Sequence, residues 1–380
     1  MRSRTLSLGG STVAAAVLAA ALLPVTAAHA AAATPKVTKA TKDAFGRVAD
    51  NVLTDRTAVL LGGKAARKAL KPTGGVRLSA AQKKAEDGKL TALRGTRSRL
   101  ADLGEAYTSA DTKVTVDSTK VKGKKATVGV TETTTLKYKK IRGDEPASTG
   151  FEAHHVLTFI AQANGTWQLT AMRSTDGGAP RINEPVATTA DAKAGRSPMA
   201  VISAPKAATT LPAPAKPKTL TGGAYDYKAM ATYTEKYWKN YNPAYRKYNS
   251  LGGDCTNYLS QGLLAGGWKQ ISTVTPEEYD TWYYASNGTA DAWIGVNEWS
   301  WFTQTAKRTT PLANVYQLDI GDVLQVDFNA DGSKDHSMMT TYRSSSGVPY
   351  LTYHDADTYR RSVASIIASY PNANYYAYRT

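Results

Sequence analysis

One proline-rich stretch constrains the folding of this chain more than any other sequence feature. Seven prolines fall between residues 177 and 223, in a segment rich in Ala, Thr and Lys with hardly any aromatic side chains. Such a segment cannot bury enough apolar surface to fold alone, and its prolines favour an extended tether. The sequence therefore predicts two domains, 31–176 and 224–380, joined by a linker over 177–223.

The first 30 residues have the features of an export signal. Arg2 and Arg4 precede an apolar run that Pro24 interrupts, and Ala28-His29-Ala30 has the form of a cleavage site. We expect cleavage after Ala30 and a secreted mature chain, either extracellular or associated with the cell wall. No later run is apolar for long enough to cross a bilayer, so we expect no transmembrane segment after cleavage.

The net charge indicates a class of partner. Lys and Arg number 47 against 31 Asp and Glu, which gives a formal net charge of +16. A chain this basic is attracted to polyanions, and for an exported protein these include anionic wall polymers. The alternative is that the lysines only keep the protein soluble. We expect no specific nucleic-acid partner.

The first domain is predicted to be an α+β module. Apolar residues recur at helical spacing over 40–61 and 80–103, with Ser79 as a cap of the second helix. Four later segments alternate like antiparallel strands, namely 113–117, 124–133, 153–160 and 167–171. Helices followed by a meander suggest a cystatin-like or NTF2-like shape.

Two adjacent histidines, His154 and His155, fall in the third of these strands. Neighbouring side chains of a strand point to opposite faces, so one histidine is expected to be half-buried and the other exposed. No further metal ligands lie nearby in sequence. We therefore assign no catalysis to this domain.

The only cysteine, Cys255, is the most informative residue of the second domain. A lone cysteine cannot form an internal disulfide or a multi-cysteine zinc site. Glycines precede it, Asp254 or Thr256 can cap the helix that follows, and Leu259 begins the apolar stripe of that helix. At a helix start, backbone N–H groups favour a thiolate and can bind an oxyanion. The alternative is an inert, buried cysteine.

A nucleophilic thiol needs a base, and His336 is the candidate. It begins a predicted strand over 336–342, and His354 follows the next strand, 348–353. A tight turn at 344–347 would place residue 336 opposite 354 or 355. Either His354 or Asp355 could then orient the His336 ring as the third member of a triad.

These residues resemble a known family. Asp254-Cys255-Thr256 with Tyr258 resembles the Asp-Cys-Ser-Gly-Phe motif of NlpC/P60 peptidases, which have a papain-like α+β fold. Ile320-Gly321-Asp322-Val323 is similar to their Gly-Asp-Leu strand, and His336 matches their histidine. The run 253–258, followed by Ser260-Gln261, is closest to an amidase-domain group of secreted bacterial proteins. The resemblance covers about residues 225–380.

The resemblance implies a cysteine amidase or peptidase that uses no cofactor. Cys255 would be the nucleophile, His336 the base and His354 the third residue, and peptidoglycan or another peptide amide would be the substrate. Asn257 stands where NlpC/P60 proteins have Gly. We expect this difference to affect substrate specificity rather than the mechanism. Two alternatives remain: a non-catalytic wall-binding protein, and a cysteine acyltransferase or cross-linking enzyme that uses an amine in place of water.

A calcium loop is a further candidate, just before His336. Oxygen-bearing side chains occupy the first, third, fifth and ninth positions of an EF-hand pattern, with Gly at the sixth. They are Asp327, Asn329, Asp331 and Asp335. The twelfth position is Met338 rather than Glu, so a plain turn is the main alternative. Trp282 and the segment 293–302 are predicted to be mostly core, with glycan stacking as the alternative.

Overall fold

An eleven-stranded β-sheet, with helices packed on it, organises this protein. The computed structural model describes residues 37–61, 75–185, 203–211, 217–220, 223–249, 253–272 and 279–380. All of them belong to one compact unit, Thr34–Thr380. The predicted signal peptide, 1–30, and the central part of the predicted linker, 186–202, lie outside the described residues. The α+β class predicted from the sequence is confirmed.

The first part of the unit is a helix pair on an antiparallel meander. Its elements are α1 Lys39–Ala58, β1 Val76–Leu78, α2 Ala80–Asp102, β2 Tyr107–Lys122, β3 Lys125–Tyr138, β4 Ser148–Ala161 and β5 Trp167–Ser174. Ser79 caps α2 by accepting the backbone N–H of Gln82, as predicted. Phe45 of α1 stacks on Phe159 of β4, because the inward side chains of the meander form one core with the helix.

The second part adds six strands to the same sheet and five helices. Its elements are α3 Tyr227–Tyr237, α4 Cys255–Ala265, β6 Tyr284–Ala285, β7 Gly288–Thr289, α5 Asp291–Ile294, α6 Val296–Thr305, β8 Thr310–Leu312, β9 Val323–Asp327, β10 His336–Arg343, β11 Pro349–Tyr353, β12 Thr358–Ser362, α7 Val363–Ser369 and β13 Asn374–Arg379. β6 and β7 pair only with each other, apart from the large sheet. None of the described helices has the length and apolar character needed to cross a bilayer.

The sheet continues from one part of the chain to the other. β12 pairs antiparallel with β4 through Thr358 opposite Phe151 and Tyr359 opposite Gly150. The strand order from this junction is β4-β12-β11-β10-β9-β13-β8. One apolar cluster also contains buried residues from both parts, including Leu93 of α2. The meander and the cysteine-bearing part therefore share a sheet and a core.

The described parts of the predicted linker include 177–185 and 203–211, and both pack on the shared sheet and core. Ala179 and Ile182 are buried in the shared core, and Ala207 donates its backbone N–H to the carbonyl of Tyr375. These contacts differ from the expected flexible tether over the same residues. The physical reason is that burial here depends on partners far away in sequence, which local composition does not reveal.

Most tryptophans of the second part are core residues. Trp282, Trp293 and Trp299 have no exposed surface, and they pack in one cluster with Phe302. The ring centroids of Trp282 and Trp293 are 4.7 Å apart. Core packing is therefore confirmed for these side chains, and they offer no face for stacking on a glycan.

Candidate functional site

Cys255 is the first residue of α4, and 5% of its surface is exposed. The helix is fixed by the buried side chains of Leu259 and Leu263 and ends before Gly266, as the sequence predicts. A cavity of about 260 Å³ opens on the thiol. Its lining residues are Gly178, Tyr248, Gly253, Cys255, Ile294, Gly295, Val296, Asp335 and Asp355.

The cap of α4 comes from a residue 100 positions away in sequence. Asp355 accepts the backbone N–H of Cys255 at 2.9 Å and that of Asp254 on the same carboxylate oxygen. Its other oxygen accepts the side-chain amide of Asn249 at 3.0 Å. Asp254 stands at the N-cap position, as predicted, but its side chain makes no capping hydrogen bond, and Asp355 supplies that contact instead. The N–H groups predicted to bind an oxyanion are already occupied by a carboxylate.

The acidity of the thiol also differs from the prediction. Burial, together with the negative charge of Asp355, raises the pKa of Cys255 to about 12. A backbone hydrogen bond from Ser337 and a contact with Thr256 Oγ1 act in the opposite direction but are weaker. The sequence predicts a lowered pKa because the helix start favours a thiolate. In the folded chain, loss of hydration outweighs that effect.

The imidazole ring of His336 is buried and makes no hydrogen bond with the described residues. His336 begins β10 opposite Val326 of β9, and both ring nitrogens lack a partner within the described parts of the chain. Burial, with the nearby charge of Arg361, lowers the pKa of His336 to about 3, so the ring is neutral. The edge of its ring meets the ring of Tyr353, with centroids 4.9 Å apart.

The predicted pair, Cys255 and His336, lies on neighbouring elements, α4 and β10, but is not hydrogen-bonded. Ser337, the next residue of β10, accepts a hydrogen bond of 3.0 Å from Thr256 on α4. Successive side chains of a strand point to opposite faces, so the His336 ring points away from α4. The sequence places both groups correctly along the chain, whereas the face on which the ring lies is decided by the sheet.

His354 forms a separate buried pair with Asp254. Its Nδ1 lies 2.7 Å from the Asp254 carboxylate and its Nε2 lies 2.9 Å from the carbonyl oxygen of Tyr237. Both ring nitrogens of His354 therefore lie against oxygen atoms that can accept a hydrogen bond. Tyr258 and Tyr241 stack on the ring, with centroids 3.5 and 3.8 Å from its own, and hold it in place.

Neither predicted third residue orients His336. The tight turn forms, and β10 pairs with β11 through Met339 opposite Thr352, a register that would bring residue 336 opposite 355. The ladder ends before that point. Asp355 and Ala356 have positive φ angles of 57° and 90°, which bend the chain away from strand geometry. The Asp355 carboxylate therefore turns to α4 instead.

A segment that the sequence analysis missed covers the site. We call residues 176–183 the strap. Gly178 of the strap has a φ of +72°, and a Cβ built there would lie 2.7 Å from the Cβ of Asp355 and 3.3 Å from Nδ1 of His336. The carbonyl of Pro180 accepts a hydrogen bond of 3.1 Å from Arg361. The Gly177-Gly178 pair was the one sequence signal of this close approach.

The two histidines of β4 point to opposite faces, as predicted. His155 is 3% exposed and lies 3.0 Å from Glu132, so it is more deeply buried than expected. His154 is exposed and bonds Asp176 of the strap at 2.8 Å. This hydrogen bond raises the pKa of His154. His154 thus ties the meander to the strap.

The predicted calcium loop forms a turn between β9 and β10. The Asp327 carboxylate accepts the backbone N–H of Asp331 and of Gly332, at 3.2 and 2.9 Å. Asp335 accepts that of Phe328 at 2.8 Å, and Asn329 bonds Asp331 at 3.1 Å. Within the described residues, no three His, Cys, Asp or Glu side chains are grouped as they would be around a metal ion.

Comparison with known proteins supports the assignment of the second part in general terms. Residues 224–378 match the family model described as "Putative amidase domain". "Uncharacterized protein YhbB" of Bacillus subtilis (strain 168) is 25% identical over 154 residues, covering 37% of this chain and 48% of that protein. "Uncharacterized protein YjcM" of the same strain is 28% identical over 149 residues, covering 37% and 32%. The aligned region thus spans less than half of each relative.

A solved structure was also matched. The crystal structure of the intermembrane space region of chloroplast protein ARC6 covers 34% of this chain and 95% of that chain, at 16% identity. Its TM-score of 0.21 is too low to inform the fold. The family match is therefore the informative comparison, and it indicates that residues 224–378 are similar to a hydrolase domain that acts on amides.

Proposed function

We propose that this protein is a secreted cysteine amidase or peptidase in which Cys255 is the nucleophile and His336 the base. The observation that carries the proposal is the position of the free thiol, at the start of an anchored helix and on the wall of a cavity, with a buried imidazole that has no partner in the described chain on the neighbouring strand β10. A buried polar group without a partner is costly, and such groups are found where function requires them.

The reaction would pass through a thioester. His336 removes the thiol proton, and the Cys255 sulfur attacks the amide carbonyl carbon. The tetrahedral intermediate collapses with cleavage of the C–N bond, and the amine leaves with the proton from the His336 imidazolium. Water then attacks the thioester while His336 accepts its proton, which releases the carboxylic acid and the thiol. These steps use only side chains and water.

The structure described above would be a resting form of this enzyme. Asp355 must leave the backbone N–H groups of Cys255 and Asp254 before they can bind an oxyanion. The His336 ring must also come within hydrogen-bonding distance of the sulfur, whereas Gly178 of the strap now packs close to its Nδ1. Until both happen, the high pKa of the thiol keeps it protonated at neutral pH.

Export and a wall substrate complete the proposal. The Arg2 to Ala30 sequence supports secretion, and the likeness to NlpC/P60 motifs supports the peptidoglycan stem peptide as substrate. Lys120, Lys122 and Lys125 extend from the outer edge of the meander, exposed and without an ion pair in the described chain, and they suit an anionic wall polymer. We also propose that the meander with its helices has a cystatin-like or NTF2-like fold and that the second part has a papain-like fold.

A non-catalytic wall-binding protein is the second candidate. Two observations favour it: the raised pKa of Cys255 and the missing hydrogen bond between Cys255 and His336. A cysteine acyltransferase would share the thioester with the amidase, so only its products distinguish it. The three functions can be separated in one set of assays.

The test is incubation of the mature chain with peptidoglycan stem peptides, with analysis of products and of the intact protein by mass spectrometry. The amidase predicts cleaved peptides and, after an acid quench, an acyl adduct on Cys255. Cys255→Ala should abolish both, and His336→Gln should reduce turnover by at least about 100-fold. An added amine should be incorporated only if the protein is an acyltransferase.

The matched control is His155→Gln, which removes an equally buried histidine outside the site. Its turnover per folded molecule should equal that of the wild type. Binding to wall fragments without turnover in any of these assays, together with retained binding by Cys255→Ala, would replace the amidase by the wall-binding protein.

A further inference from the structure

The cavity at the thiol is acidic, although the protein is basic. Two of its lining side chains are carboxylates, Asp335 and Asp355, and none is a Lys, Arg or His. Neither forms an ion pair in the described part of the chain. The sequence has 47 Lys and Arg, so cations are plentiful. Asp355 caps α4, but neither carboxylate has a cationic partner there, so the charged groups at the cavity of the thiol are of one sign.

The hydrogen-bonding groups at the cavity have the same bias. Asp335 uses one oxygen to accept the backbone N–H of Phe328, and its other oxygen accepts no hydrogen bond from the described residues. His336 is not among the residues that line the cavity, although a Cβ added at Gly178, which does line it, would lie 3.3 Å from the His336 Nδ1. A ligand with N–H donors and a positive charge would bind the remaining oxygen of Asp335.

We propose that the thiol cavity selects amides that carry a protonated amine beside the scissile bond. This inference rests on the proposed function, because it assigns a substrate class to the same thiol. The ammonium would bind Asp335 and Asp355, and the apolar wall of Ile294 and Val296 would contact the neighbouring aliphatic part of the substrate.

The same contact would open the site. Asp355 now bonds the backbone N–H of Cys255, and an ammonium competes with that N–H for the carboxylate. The ammonium carries a full positive charge, so its Coulomb attraction to the carboxylate exceeds that of a neutral N–H group. The substrate therefore frees the N–H group that its own oxyanion needs, and a neutral or anionic amide does not.

The experiment compares two thiol reagents of similar size and opposite charge, 2-aminoethyl methanethiosulfonate and 2-sulfonatoethyl methanethiosulfonate. The Cys255 thiolate attacks the sulfenyl sulfur, the S–S bond of the reagent breaks, and methanesulfinate leaves with the electron pair. The cation-to-anion rate ratio of the native protein is divided by that of the denatured chain. We expect a normalised ratio of at least about 10.

Asp335→Asn and Asp355→Asn should each lower this ratio at least about threefold. The control is Asp331→Asn, an exposed carboxylate of the same loop that does not line the cavity, and its ratio should equal that of the wild type. Because the ratio compares two reagents on one thiol, a change in the pKa of Cys255 cancels. A ratio of 1, or a preference for the anion as the net charge of +16 would give, overturns the inference.

A second measurement tests binding directly, so it applies even if Cys255 reacts too slowly with both reagents. Calorimetry with alaninamide and N-acetylalaninamide should show tighter binding of the cationic amide by at least about tenfold, lost in the Asp335→Asn Asp355→Asn double variant. Hydrolysis of charged and acetylated amides at equal rates, without a charge preference, would overturn this inference and leave the amidase. A charge preference without any hydrolysis would keep the cation-selective cavity and overturn the amidase.

Discussion

Asp355 accepts a hydrogen bond of 2.9 Å from the backbone N–H of Cys255, so a carboxylate of the chain itself occupies the anion-binding end of α4. A helix start attracts anions because its first N–H groups lack partners within the helix. The oxyanion of an acyl-transfer reaction needs the same groups. Asp355 is therefore both the cap that stabilises the helix and the group that must leave before the thiol can act.

The charge of Asp355 should suppress the reactivity of the thiol. Asp355→Asn removes a charge that raises the pKa of Cys255, so the thiolate fraction at pH 8 should increase. We expect alkylation by limiting iodoacetamide, followed by mass spectrometry, to become about tenfold faster. The control is Asp357→Asn, a buried carboxylate bonded to Tyr241 rather than to α4. Equal rates for the wild type and Asp355→Asn would contradict the suppression.

A single methyl group added to the strap should lower the stability of the protein. Gly178→Ala places a Cβ against Asp355 at a positive φ, and we expect a loss of at least about 2 kcal/mol in the free energy of unfolding. Gly165→Ala is the matched control, since Gly165 also has a positive φ but an added Cβ there meets nothing within 4 Å. It should cost about 1 kcal/mol.

The reactivity of Cys255 should also differ between Gly178→Ala and Gly165→Ala. If the strap shields His336, Gly178→Ala should also accelerate the alkylation of Cys255 near neutral pH, and Gly165→Ala should not. Urea denaturation measures the first effect and iodoacetamide labelling the second. A Gly178→Ala variant as stable and as unreactive as the wild type would show that the strap neither packs on the site nor shields it.

Burial of His336 should make the protein sensitive to acid. Its folded pKa of about 3 lies below the ordinary value of 6.5, so the unfolded chain binds a proton at this residue between pH 6.5 and 3 and the folded chain does not. The contribution of His336 to stability is therefore present above pH 6.5 and is lost as the pH falls toward 3. The loss should be about 1.4 kcal/mol per pH unit.

The measurement is urea denaturation of the wild type and His336→Gln between pH 6.5 and 4.5, where the variant should show the shallower dependence. His154→Gln gives a control of opposite sign. The pKa of His154 is raised by its bond to Asp176, so the stability from His154 is present at low pH and is lost as the pH rises through its folded pKa. Identical pH profiles for the wild type and His336→Gln would contradict a buried, neutral His336.

The His354–Asp254 pair should be structural rather than a catalytic relay. Breaking a buried pair leaves a charge without its partner, so His354→Gln and Asp254→Asn should each cost about 3 kcal/mol in the free energy of unfolding. Their effects should be far from additive in a double-mutant cycle, because both remove the same contact. Full stability with lost amide hydrolysis in His354→Gln would instead restore the triad predicted from the sequence.

Local patterns were sufficient for several elements of this protein. The helix spacing and Ser79 predicted α1 and α2 to within a few residues, and the alternation of apolar residues predicted the meander, although β2 and β3 are longer than expected. The glycines and leucines around Cys255 predicted α4. Each of these signals depends on residues a few positions apart, which a sequence displays directly.

Contacts between distant segments decided the site. Asp355 caps α4 although it lies 100 residues from Cys255 in the sequence. Gly178, which was predicted to lie in the linker, packs close to the His336 ring. By itself, the sequence determined where the thiol and the imidazole lie along the chain and in which elements. Only the tertiary structure decided their burial, the face on which each ring lies and the charges beside them, because hydration and Coulomb interactions depend on distances in space that no local pattern contains.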